Sequence, residues 1–133
     1  MISISDQEFE KLVTDSMDNI PEKYYQRIKN VAFVIEDQPS MEQRKKLKLA
    51  CNQSLYGLYE GIPLTKRGIG YNLVLPDKIT IFKLPITHSA SSPEELKELV
   101  DNTVWHEVAH YFGLDHSQIH HLENKPKEPT ESN

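Results

Sequence analysis

Cysteine is nearly absent from this chain. Cys51 stands alone among 133 residues, so no disulfide can close within the chain and a secreted disulfide framework is excluded. The thiol is expected to act as a small buried hydrophobe. Long hydrophobic runs are missing as well: no stretch approaches the roughly 20 apolar residues of a membrane span. The segment from Met1 to Asp18 is acidic and lacks the apolar core of a signal peptide. A cytoplasmic location is the expectation that follows. Positive charge is also in deficit, with 15 Lys and Arg against 20 Asp and Glu and a formal net charge of −5. That balance disfavours nucleic acid and anionic membranes as general partners. The one basic run, Arg44-Lys45-Lys46-Leu47-Lys48, reads as the solvated face of a helix.

What remains suits a small folded protein. Hydrophobic residues make up 38% of the chain, and its length allows one domain with a real core. A single domain is expected over residues 1–124, with a polar, proline-containing and disordered tail over 125–133.

Local signals divide the domain into elements. Ser5-Asp6-Gln7-Glu8 is a capping box that opens a helix with Phe9, Leu12, Val13 and Met17 on one side. Pro21 starts a second short helix through Tyr24, Tyr25 and Ile28. The apolar run Val31 to Ile35 reads as a buried strand. Ser40-Met41-Glu42-Gln43 is another capping box, launching a helix to about Asn52. Leu55 to Tyr59 is a further strand candidate before the turn at Gly61 and Pro63. Ile79 to Leu84 is another, and Pro76 and Pro85 on its flanks favour a sheet edge. Ser92-Pro93-Glu94-Glu95 then combines an N-cap, a proline at N1 and a capping glutamate at the head of a long helix.

That helix runs into His-Glu-Val-Ala-His-Tyr-Phe-Gly-Leu-Asp-His, His106 to His116. Residues four apart share a helix face, so His106 and His110 can place two imidazoles on one metal ion. Glu107 falls beside that ion, where a carboxylate can take a proton from a metal-activated water. Gly113 suits a left-handed helix end, and the turn can return His116, or alternatively its neighbour Asp115, as a third ligand. Three protein ligands and one open position describe a catalytic Zn2+ site. The competing view, in which these are ordinary surface or core side chains, fits poorly with Val104, Trp105, Val108, Ala109 and Phe112 around them. Two histidines and a glutamate in so apolar a segment need partners if buried.

The residues resemble a family, the minimal zincin-like metallopeptidases. The similarity rests on Gly57 to Leu64, on Leu75 to Phe82 and on the helix bearing His106 to His116, in that order. It implies an α+β fold: a small mixed sheet with an edge strand above a metal-binding helix. It also implies a zinc peptidase acting on a peptide or protein substrate, which can pair with that edge strand by β-augmentation. Ile79 to Leu84 is the candidate edge strand. The H-E-x-x-H-x-x-G-x-x-H run is shared with metzincins, but their methionine turn has no counterpart, since the last methionine is Met41. Members of the minimal group often look acidic around the third ligand, which keeps Asp115 in play beside His116. Glu123 ranks third, and His120 and His121 read as surface residues. Tyr71, His88 and Tyr111 are the candidates for stabilising an oxyanion. Two further readings compete: a catalytically silent zincin-fold binding module, and a metal-dependent endoribonuclease. The second is suggested by Gly113-Leu114-Asp115-His116, which is similar to the motif ending of ribosomal-RNA maturation nucleases. Those enzymes carry glycine at the position of Glu107, and the acidic balance of this chain fits RNA poorly.

Overall fold

The computed structural model describes residues 2–28, 31–47, 55–61 and 77–113. Helix α1 (Asp6–Asp18) begins where its capping box predicts. The Ser5 hydroxyl accepts the Glu8 N–H at 3.1 Å and the Glu8 carboxylate accepts the Ser5 N–H at 3.1 Å. The Ser5 backbone N–H is the main reason the Glu8 carboxyl titrates below its ordinary value. Helix α2 (Glu22–Tyr25) follows Pro21, shorter than the sequence implies, and leads to strand β1 (Val31–Glu36). Helix α3 (Met41–Leu47) again starts on its predicted box, with Ser40 and Gln43 exchanging bonds of 3.0 and 2.8 Å. The expected continuation to Asn52, with Cys51, lies outside the described residues.

Among the described residues, three strands form a mixed sheet: β1, β2 (Gly57–Glu60) and β3 (Asp77–Phe82), in the order β1-β3-β2. β1 runs parallel to β3 with Val31 opposite Asp77, and β2 runs antiparallel with Gly57 opposite Ile81 and Tyr59 opposite Ile79. The Phe82 N–H reaches the Tyr56 carbonyl at 2.8 Å, one step beyond β2.

Two expectations are corrected here. Ile79 to Leu84 is no edge strand. β3 is the central strand, buried on both faces through Ile79, Thr80, Ile81 and Phe82. The proline argument fails because Pro85 is not in the sheet at all. The chain turns at Phe82 directly into helix α4 (Lys83–Ser89), and Pro85 sits in its first turn, where a missing N–H costs nothing. Val31 to Ile35 is the second correction, being half-buried along its length, with β1 at an edge among the described strands.

Helix α5 (Pro93–Tyr111) is the spine of the fold. Leu96, Val100, Val104, Val108 and Tyr111 recur at helical spacing and pack with Phe9 and Val13 of α1 and Ile79 and Ile81 of β3. A hydrogen bond from the Ser16 hydroxyl to the Asp101 carboxylate ties α1 to α5 across the core, and Lys97 holds the other Asp101 oxygen at 3.0 Å. The Ser92 hydroxyl accepts the Glu95 N–H at 3.1 Å, while the Glu95 carboxylate reaches back to the Ser91 N–H at 2.6 Å. Ser92→Ala is expected to cost about 1 kcal/mol in urea unfolding. An unchanged midpoint would mean that Pro93 and core contacts alone hold the first turn.

Among the described residues, no helix is long and apolar enough to cross a membrane.

Candidate metal centre

The last two turns of α5 carry the motif. His106 and His110 stand on one side of the helix with ring centroids 4.5 Å apart, inclined at 64°. Both are half-buried, whereas Glu107 is only 4% exposed. Its Oε1 lies 3.2 Å from His110 Nδ1. That hydrogen bond raises the His110 pKa above its ordinary value, against the opposing pull of burial. The partners that sequence reasoning demanded for buried polar groups are therefore supplied within the motif itself.

One ligand atom from each of His106, Glu107 and His110 lies within 4.8 Å of the others. Two imidazole nitrogens and a carboxylate oxygen are donors that suit a divalent ion such as zinc. The group can hold a metal. The helix ends as anticipated, with Gly113 at φ 78° and its N–H on the His110 carbonyl at 2.9 Å. Gly113 therefore turns the chain within one residue of the motif's last helical turn. Asp115 and His116, the two candidates for the third ligand, lie outside the described residues, as do Glu123, His120 and His121.

Beside the group opens a hollow of about 280 Å³. Glu107, His106, Thr103 and Leu99 form its helical wall, and Tyr56 and Gly57 form its strand wall. Among the described strands, β2 is thus the edge strand that stands over the metal helix, a place the sequence had assigned to β3. Gly57 makes this approach possible: a Cβ there would lie 2.8 Å from Thr103 Cγ2 and 3.1 Å from Glu107 Cγ. Sequence reasoning did not assign Gly57, Thr103 or Leu99 to the site. The helical residues could have been found, because Leu99, Thr103 and Glu107 recur four apart on one face. A glycine opening a strand is itself a sign of close backbone approach.

The oxyanion candidates separate. Tyr111 is buried at 2% exposure, edge-on to Tyr59 at 6.0 Å, and acts as a core residue. His88 lines a different hollow. Tyr71 lies outside the described residues. On the outer side, Tyr24 of α2 packs against both Trp105 and Phe112 at 5.2 Å, bracing the helix turns that bear the histidines.

The sequence model of zincin-like metallopeptidases matches residues 28–125, about three quarters of the chain. The chain belongs to that family. Its α+β architecture, a three-stranded mixed sheet with an edge strand over the helix of the metal group, agrees with a minimal zincin-like fold. Comparison with curated proteins gives no match.

Proposed function

We propose that this protein is a zinc peptidase, hydrolysing peptide bonds in peptide or protein substrates. One observation carries the reading: a buried glutamate between two half-buried histidines, at the wall of a hollow bounded by an edge strand. His106 and His110 would hold zinc together with His116, or with Asp115 in its place. Zinc, when bound, supplies Lewis acidity and brings the pKa of a water down to about 7.

The remaining chemistry belongs to the chain. Glu107 is the general base: it takes the proton of the attacking water and passes it to the leaving amine. Its side chain is buried beside Gly57, and its carboxylate holds His110 Nδ1 at 3.2 Å. β2 has β3 on one side and no other described strand on its far side, and an extended peptide would lie along that side at Gly57 and Leu58. The hollow between Tyr56 and Leu99 then receives a side chain next to the cleaved bond.

The test is metal content on protein purified without chelator, for wild type beside His106→Ala, His116→Ala and Asp115→Ala, with turnover of a mixed peptide pool alongside. Near-stoichiometric zinc is expected in the wild type, lost in His106→Ala and His116→Ala. Loss in Asp115→Ala rather than His116→Ala would move the third ligand back by one residue. Zinc retained in full by His106→Ala would remove the proposed site, and bound zinc without any turnover would leave a silent binding module.

A further inference from the structure

Leu55, which leads into β2, lines two hollows. One is the hollow beside Glu107. The other, also of about 280 Å³, is lined by Arg44, Gln38, His88, Ser89, Leu84 and Leu55. Among the described residues, its lining contains no acidic side chain. Arg44 belongs to the basic run that the sequence assigns to a solvated helix face, yet it is half-buried here. Among the described residues, no carboxylate or other acceptor engages its guanidinium. The Ser89 hydroxyl accepts the Tyr56 O–H at 2.8 Å, which leaves its own proton to donate. Half-buried Arg44 and the exposed Gln38, His88 and Ser89 thus line one open hollow in a chain of net charge −5. Arginine presents a fork of donors that matches a carboxylate, and a charge-assisted hydrogen bond is stronger than a neutral one.

We propose that this second hollow is a subsite for a substrate carboxylate, with Arg44 as its specificity-determining residue. The proposal rests on the peptidase reading and adds a substrate class to it: peptides with an acidic group near the cleaved bond. The spacing sets the position. Leu55 and Gly57 are two residues apart, about 7 Å in extended chain. A peptide antiparallel to β2 would lay its C-terminal half by Leu55. The carboxylate therefore belongs two or three residues after the cleaved bond, either on an Asp or Glu side chain or at the peptide's own C-terminus.

The experiment measures binding, so that it does not depend on cleavage. Three labelled ten-residue peptides of otherwise equal sequence are titrated onto zinc-loaded Glu107→Gln protein by fluorescence anisotropy. One carries Glu and an amidated end, one Gln and an amidated end, and one Gln and a free C-terminal carboxylate. At low salt, one of the two charged peptides is expected to bind about tenfold more tightly than the neutral one, with the advantage shrinking as salt is added. The Glu peptide winning identifies a side-chain carboxylate, and the free-terminus peptide winning identifies a terminal one. Adding Arg44→Gln should bring the ratio to within twofold, and Arg44→Lys should restore part of it. Equal affinities for all three peptides, an advantage that survives Arg44→Gln, or no binding of any peptide would overturn the subsite. Wild-type turnover of the neutral peptide, followed in parallel, decides the peptidase reading separately.

Discussion

Glu107→Gln should retain bound zinc and lose peptide turnover by about 10²–10⁴-fold, the usual contribution of a positioned general base. The substitution keeps the shape of the side chain. It replaces an oxygen that can accept a proton with an amide that cannot, while His106 and His110 are untouched. The buried setting favours a clean result, because Glu107 is 4% exposed and its Cγ packs where Gly57 lets the strand close in. An amide can still hydrogen-bond His110, so the fold around the motif should survive. Metal content by elemental analysis and initial rates on one peptide make the comparison. Wild-type rates in the variant would remove Glu107 from the reaction. Loss of zinc would instead make it a ligand, consistent with its place within 4.8 Å of both imidazoles.

Gly57→Ala should be nearly as damaging, through geometry alone. The added methyl would meet Thr103 Cγ2 at 2.8 Å, Glu107 Cγ at 3.1 Å and the backbone oxygen of Thr80 at 3.2 Å. Thr103 has little freedom to retreat, because its hydroxyl donates to the Leu99 carbonyl at 2.6 Å. The strand or the helix must move, and overpacking of this kind costs about 1–3 kcal/mol. A displacement of about 1 Å at a reacting carboxylate can cost roughly 10²-fold in rate. Urea unfolding together with turnover below the transition separates the two effects. Wild-type stability and wild-type turnover in this variant would show that β2 can step away from α5 without consequence, and would remove Gly57 from the site.

What could be read in advance divides along a physical line. The starts of α1, α3 and α5 were legible because capping is short-range chemistry: boxes of Ser5 with Glu8 and Ser40 with Gln43, and the Ser92 hydroxyl on the Glu95 N–H. The pairing of His106 with His110 and the left-handed turn at Gly113 were legible for the same reason. Strand order was not, since it depends on partners far along the chain. Pro85 signalled an edge when it in fact opens α4, a helix the apolar pattern of Lys83 to Ser89 does not announce. The second wall of the hollow was hidden likewise: nothing near Gly57 in sequence mentions Thr103 or Glu107. Arg44 shows the converse, a residue typical of a solvated helix whose surroundings come from Gln38, Leu55 and α4.

The two ends of the described chain depend on each other. α1 has its apolar side against α5, Ser16 reaches Asp101 across 85 residues of sequence, and β1 joins β3 only through a long parallel connection. Contacts of such range are made late and close slowly. As the chain leaves the ribosome, everything up to β3 emerges before the helix that supplies Leu96, Val100, Val104 and Val108 to its core. The histidines ride on that same helix. A nascent chain therefore has no paired imidazoles to offer a metal until the element that completes its interior has arrived, so consolidation of the fold and readiness for the ion coincide in a single late event.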